Sequence, residues 1–443
     1  MQRTFTSIFL IFMASFSLAA QTDVHAHIIT DSYRSFIDSH KASLDEGFPL
    51  PEWSVSAHLA FMDKAGIQTS VLTVPAPHPY FGDAQESAII CRELNEECAA
   101  IKSAHPGRFR FCAVLPLPDV DAALAEAKYA LEVLGADGVK LATNAYGQYL
   151  GDEDLEPLMS YLNERKAVII IHPHKPSSTN EALVKKVPLA SYEYLAETTR
   201  AVLNMIASDV LVRYPDLKVV VPHCGSFLPN ALPRFKGLLP VMTAHGYMKN
   251  VDVEANMSRL YYDLAGAATD DVIKTLLTIT VPDHLLYGSD YPYVSPTALM
   301  EAKASLEKRL PALGLNTEDL FSNNARRLFG EKVDAQETGE RIVRIVEIEV
   351  FADKIGEYLS YAKEVGETSM AMEPGVIALF SMQSKDDPAK VYIVEVYADK
   401  AAYQHHIGTE HFRKYKEGTA SMVKSLKLID TVPLVSVPIG KSR

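Results

Sequence analysis

Asp23-Val24-His25-Ala26-His27 sets two imidazoles two residues apart inside an apolar run. On a β-strand that spacing sends both side chains to one side, so His25 and His27 would enter the same space. Two neutral imidazoles held together are half of a metal site. The pair alone is a weak signal, since His-x-His also arises by chance. Three further apolar runs strengthen it, ending in His172 (after Val168-Ile169-Ile170-Ile171), in His223, and in Asp290 (after Leu285-Leu286-Tyr287-Gly288-Ser289). Three histidines and one carboxylate, His25, His27, His172 and Asp290, suit Zn2+ or a neighbouring divalent ion with a position left for water or substrate. His223 is then placed as acid, base or hydrogen-bond partner of a ligand. His174, two residues beyond His172, is expected to touch substrate, although Pro173 interrupts the strand alternation. Each histidine taken singly also reads as a hydrogen-bonded core residue. Their joint placement at strand ends is what indicates a site.

The elements that must position these residues alternate regularly. Strand-like runs cover Val24–Ile28, Thr69–Val74, Phe109–Leu115, Gly138–Thr143, Val168–His172, Lys218–His223, Leu260–Leu264 and Leu285–Gly288, with amphipathic helical stretches between them. Eight runs rich in Val, Ile and Leu predict a parallel sheet buried on both faces. Closing it gives an α/β fold of (β/α)8 TIM-barrel type over residues 21–330, and about 300 residues is an ordinary size for one. A doubly wound open sheet is the competitor. Polar residues at the C-terminal ends of four separate strands favour the barrel, where chemistry sits on that face. The loops His78-Pro79-Tyr80-Phe81-Gly82-Asp83 and Asn144-Ala145-Tyr146-Gly147 follow strands and belong on that face too. Asn144, Tyr291 and Trp53 are expected at the substrate; Trp53, the only Trp, reads equally as a packing residue before the next helix. Tyr80, Tyr146, Tyr149 and Tyr291 favour a planar aromatic ligand and fit a structural role as well.

Length and composition bound the rest. A chain of 443 residues points to two domains, and 48% hydrophobic with 22% charged residues is ordinary globular composition. A formal charge of -13 and the lack of a basic stripe argue against a nucleic-acid partner. Residues 1–20 read as a signal peptide, with Arg3 as the positive start, Ile8 to Phe16 as a short apolar centre and Ser17-Leu18-Ala19 before the cut. The expected location is therefore periplasmic or secreted, with no membrane contact after signal removal, or cytoplasmic if the leader is uncleaved. Cys91, Cys98, Cys112 and Cys224 form no disulfide scaffold and read as buried small hydrophobes, Cys224 included despite its place beside His223.

Residues 331–340 are polar and predict a linker. Beyond it the rhythm changes to strand Ile342–Val350, helix Lys354–Val365, strands Gly375–Ser381 and Tyr392–Tyr397, helix Lys400–Gly418 and strand Lys427–Val435. That order predicts a small α+β ferredoxin-like domain over 341–437. His405, His406 and His411 are expected at its surface or at an interface.

Taken with their order, Asp-Val-His25-Ala-His27, Ile-His172-Pro, Pro-His223-Cys-Gly-Ser-Phe-Leu-Pro, Tyr-Gly-Ser-Asp290-Tyr-Pro and Asn323-Asn324-Ala325-Arg326-Arg327-Leu328-Phe329 resemble the amidohydrolase superfamily. The similarity covers about residues 23–330 and lies nearest the branch of aminocarboxymuconate-semialdehyde and 6-methylsalicylate decarboxylases. It implies a TIM barrel with a single metal, usually zinc, on His25, His27, His172 and Asp290, and His223 as the catalytic histidine. Cys224-Gly225-Ser226 departs from the pattern, where a second Gly is frequent. Residues 341–437, through Val394-Glu395-Val396-Tyr397-Ala398-Asp399 and Glu410-His411-Phe412, are similar to antibiotic-biosynthesis monooxygenase-like domains. The resemblance implies a dimeric module, some members of which oxidise quinol-type aromatics without a cofactor.

Two reactions use the same residues. In a decarboxylation His223 or Asp290 delivers a proton to a ring or alkene carbon as CO2 leaves, and the metal stabilises negative charge. In a hydrolysis of a lactone, ester or amide, metal-activated water attacks a carbonyl and Asp290 shuttles the proton. The decarboxylation of a small aromatic or unsaturated acid is preferred, because an attached ring-oxidising domain would consume its product. A metal-holding scaffold without catalysis is the third reading. One zinc per chain is expected, a second ion requiring a carbamylated Lys140; the partners expected are a small-molecule substrate and a second copy of the chain.

Overall fold

The structure, a computed structural model, describes residues 20–44, 47–177, 187–331, 342–373, 375–398 and 400–432. The expected signal peptide, up to residue 19, and the expected linker, from residue 332, lie outside the described residues.

Eight parallel strands form one sheet in chain order: β1 (Gln21–His27), β2 (Ile67–Thr73), β3 (Phe109–Val114), β4 (Gly138–Ala142), β5 (Val168–His172), β6 (Lys218–Val221), β7 (Leu260–Asp263) and β8 (Leu285–Leu286). Backbone hydrogen bonds Val24 N to Tyr287 O (2.9 Å), Asp290 N to His25 O (2.8 Å) and His27 N to Tyr291 O (2.8 Å) join the last strand to the first. The sheet is therefore a barrel. Val24, Val71, Cys112, Val168, Ile170, Val220 and Leu286 fill its interior, with Ala325 and Leu328 packed against them. These belong to alternate positions of successive strands, as period-2 geometry requires. The Asn324–Leu328 helix plugs the N-terminal end: Asn324 Nδ2 donates to Pro282 O and Leu285 O, and Lys218 Nζ donates to Leu328 O. That part of the motif holds the fold.

Helices cover the outer face, among them α1 (Val55–Ala65), α2 (Ala84–Ala104), α3 (Val120–Glu132), α4 (Leu189–Ala207) and α5 (Leu228–Ala244). Their starts are encoded locally. Ser54, Asp83 and Asp119 each accept a hydrogen bond from a first-turn backbone N–H, and Gly66 (φ +72°) ends α1 in the left-handed conformation that a side chain disfavours.

The second domain is a four-stranded antiparallel sheet of β9 (Ile342–Val350), β10 (Val376–Gln383), β11 (Lys390–Tyr397) and β12 (Val423–Thr431), in the spatial order β10-β11-β9-β12. With α6 (Ile355–Met372), α7 (Lys400–Gly408) and α8 (Glu410–Thr419) it makes the ferredoxin-like fold. Val346, Ile348, Val350, Tyr358, Val391, Ile393 and Tyr397 are in its core. The single helix expected over Lys400–Gly418 is two, because the Thr409 hydroxyl caps α8 by accepting from Phe412 N. His406, expected at the surface or an interface, is instead buried on the inner side of α7; His405 is exposed and His411 half-buried.

Candidate metal centre

His25 and His27 end β1, His172 ends β5, and Asp290 follows β8. One donor atom from each lies within 4.8 Å of all the others. Ring centroids are 5.0 Å apart for His25 and His27, 5.5 Å for His25 and His172, and 4.7 Å for His27 and His172. Asp290 Oδ1 is 3.2 Å from His27 Nε2 and 3.6 Å from His25 Nε2.

The protein fixes which nitrogen of each ring is free. His25 Nδ1 donates to Asp263 Oδ2 at 2.9 Å, and that carboxylate also accepts from His223 N and Ala265 N. His172 Nδ1 donates to Pro173 O at 2.9 Å. The Thr73 hydroxyl gives its hydrogen to Ala26 O, so towards His27 Nδ1 (3.0 Å) it can only accept. All three rings therefore carry the proton on Nδ1 and present Nε2 to one point. His25 Nε2 is buried with no hydrogen-bond partner, which costs stability unless something else meets it. Three Nε2 donors and one carboxylate fit a divalent ion such as Zn2+ or Mn2+.

Electrostatics agree. Burial would raise the Asp290 carboxyl, but His223, His27 and His25 outweigh it and hold it well below the usual carboxylate range. Burial lowers His27 to about 4 and His172 well below the ordinary imidazole value, so both are neutral donors. Burial would also lower His25; the Asp263 carboxylate, with Asp290 and Asp23 behind it, brings it up to about 9 instead. The backbone is strained at the same place. His223 (φ +54°), Cys224 (φ +55°) and Asp290 (φ +64°) are non-glycine residues in the left-handed region.

His223 stands beside the donors, its ring 5.0 Å from that of His25 and its Nε2 3.9 Å from Asp290 Oδ2. His174 lies next to His78, ring to ring 6.4 Å. The other expected substrate residues are not brought to the cluster. Tyr291 stacks on Phe61 of α1 at 4.5 Å, in the packing layer outside the barrel. The left-handed turn at Asp290 breaks the strand alternation, which sends the ring of Tyr293 inward to 5.5 Å from His27. Trp53 donates from Nε1 to His58 Nδ1 in that outer layer. Asn144 spends its amide on Lys175 O, Glu197 Oε2 and Gly147 N, holding the loop. Tyr80 and Tyr146 meet at 5.4 Å, so the loops after β2 and β4 do converge. Lys140 is buried on β4, and its charge contributes to lowering His172.

Sequence reading missed Asp263, Thr73, Tyr293 and Tyr194, whose ring is 6.4 Å from that of His172. Asp263 had a signal: it is a charged residue inside the apolar run Leu260–Leu264. Cavity size has none to offer. A cleft of about 940 Å3 lies between α4 and α5 and shares no residue with the cluster.

A 6-methylsalicylic acid decarboxylase of Aspergillus aculeatus is 31% identical over 328 residues, 72% of this chain and 98% of that protein. A crystal structure described as amidohydrolase II superposes with a TM-score of 0.64 at 30% identity, covering 70% of this chain and all of the other. The 5-carboxyvanillate decarboxylase of Novosphingobium aromaticivorans, solved with manganese and 4-hydroxy-3-methoxy-5-nitrobenzoic acid, shares the fold with a TM-score of 0.61 at 20% identity, over 70% of this chain and 96% of that one. Residues 341–418 match the antibiotic biosynthesis monooxygenase family. Residues 22–330 match the amidohydrolase family along their whole length, and the chain belongs to it.

Proposed function

We propose that the chain is a metal-dependent, non-oxidative decarboxylase of a small aromatic carboxylic acid, with His25, His27, His172 and Asp290 as the metal ligands. The observation that carries this reading is the convergence of three Nε2 lone pairs and one carboxylate beside a fourth imidazole, His223, that is free to do something else. The similarity to a 6-methylsalicylic acid decarboxylase supplies the class of substrate.

When bound, the ion supplies Lewis-acid stabilisation of negative charge on the substrate's carboxylate or neighbouring hydroxyl. His223 carries the proton. Its Nε2 faces Asp290 Oδ2, and its side chain is 15% exposed, so it can be recharged from solvent. It protonates the ring carbon that bears the carboxylate; the C–C bond then breaks, its electron pair returns to the ring, and CO2 leaves. Tyr293 and Tyr194 flank the donors and offer faces to a planar ring, with His174 at the margin. Zinc as the physiological ion, at one equivalent in the barrel, is part of this proposal; the donor set also takes Mn2+, more weakly.

The small domain is read as a pairing module. Phe380, Val394, Ile345 and Ile429 lie side by side across all four strands on the face away from the helices. A leader over residues 1–20 fits β1 beginning at Gln21, and export is proposed with it. Burial raises all four thiols, Cys224 to about 12, so they stay protonated and unreactive in an oxidising compartment. Among the described residues no helix is long and apolar enough to cross a membrane.

The test is turnover of hydroxybenzoates by zinc- or manganese-loaded protein, with CO2 and acid release followed separately beside lactones and amides. CO2 release that falls at least a hundredfold in His223→Ala, with metal content unchanged, supports the assignment. Acid release from lactones without CO2 from any benzoate overturns it.

A further inference from the structure

The small domain holds a second group of donors, outside the barrel. Glu373 ends α6, His406 lies in the last turn of α7 and His411 in the first turn of α8; one donor atom from each lies within 4.8 Å of the others. Glu373 Oε1 accepts from His406 Nδ1 at 2.9 Å and from His411 Nε2 at 2.6 Å. Glu373 and His406 are buried, and His411 is 19% exposed.

Hydrogen bonds alone leave this cluster incomplete in three respects. The first is charge. The Glu373 side chain is 3% exposed, and its Oε1 alone meets both rings. A carboxylate buried in that way is costly without a compensating cation.

The second is position. The C-termini of α6, 18 residues long, and of α7 both meet at the cluster. Helix C-termini carry partial negative charge, which repels a carboxylate and attracts a cation. The N-terminus of α8 brings His411, and there the Thr409 hydroxyl already accepts from Phe412 N.

The third is unmet polarity. Glu373 Oε2 and Ser369 Oγ are buried and meet, beyond a weak contact with each other, no hydrogen-bond partner. Ser369 lies one turn before Glu373 on α6, and the Tyr397 ring is 5.3 Å from that of His406. Orphaned acceptors and hydroxyls gathered at one place mark a site for something polar that completes them.

We propose that Glu373, His406 and His411 bind a divalent transition-metal ion of the Zn2+, Mn2+ or Fe2+ class, independently of the barrel site. Two imidazoles and one carboxylate are a donor set these ions accept with coordination positions to spare. The hydroxyls of Ser369 and Tyr397 border the site as hydrogen-bond partners for water on the ion.

The full chain is loaded with excess Zn2+, desalted and analysed for metal by mass spectrometry. Two equivalents per chain are expected. Glu373→Gln and His411→Gln should each retain one, and His172→Ala should also retain one, lost when combined with His411→Gln. A second measurement leaves the small domain unaltered: Co2+ titrated into His172→Ala should give a visible d–d spectrum saturating at one equivalent and bleached by Zn2+. Wild-type protein with one equivalent, His172→Ala with none, or no cobalt spectrum in that variant each overturns the proposal.

Discussion

Asp263 sets the protonation of His25 from behind, and that makes it a sharper probe than any ligand. Its carboxylate accepts the Nδ1 hydrogen, so Nε2 is the nitrogen turned towards the cluster. In Asp263→Asn the side-chain oxygen keeps the two backbone donors, His223 N and Ala265 N, and the NH2 turns to His25. The ring must then accept at Nδ1 and carry its hydrogen on Nε2, where the metal should be. Metal affinity should fall about 10- to 100-fold, as read by chelator competition, with the fold intact. An unchanged affinity would remove Asp263 from the site. A pH dependence follows from the same pair. In metal-free protein His25 titrates at about 9, so below that pH Nε2 is protonated and an incoming ion must expel the proton. About one proton should be released per ion at pH 7, and apparent affinity should weaken roughly tenfold per pH unit below 9. Indicator titration checks this, and His25→Ala should release none. The cluster was legible because a donor set needs particular residue types at strand ends. Asp263 was harder to see, since a buried Asp on a strand has no unique partner until the fold supplies one.

At the level of elements, the seam between β8 and β1 carries the demands of both closure and site. Gly288 leaves no room for a side chain: a Cβ there would lie 2.7 Å from that of His25 and 3.2 Å from that of Asp263. Gly288→Ala should therefore push β1 outward, destabilising the barrel by about 1–3 kcal/mol and lowering metal content together. Urea unfolding and metal analysis on the same sample test the link; metal retained in full alongside a loss of stability would separate closure from ligand placement. Strand order and helix positions were readable from apolar periodicity, and Val168–His172 and Ile342–Val350 have the expected bounds. Periodicity failed where backbone conformation departs from it. The left-handed residue at Asp290 exchanged Tyr291 for Tyr293 at the site, and the Thr409 cap divided one expected helix.

For the whole molecule, the question is what the second domain adds to a barrel that already contains the whole donor cluster at its mouth. Its outer sheet face gives one answer. Ile345 pairs across β11 with Val394 and across β12 with Ile429, and Val394 pairs with Phe380, so one apolar row crosses the sheet without a charge. Phe380 and Ile345 are 51% and 38% exposed, too much apolar surface to leave in water on a small sheet. Two such faces packed together would remove it, and the isologous contact would close the assembly at two chains. Light scattering should give twice the chain mass. Phe380→Glu with Ile345→Glu should give monomers, since each buried carboxylate would lack a partner. Barrel metal content and CO2 release per chain should change less than about twofold, because the proposed ligands and proton carrier all lie at or before residue 290. A double variant that still pairs would move the interface elsewhere, and a monomer that loses decarboxylation would show that the barrel depends on its neighbour.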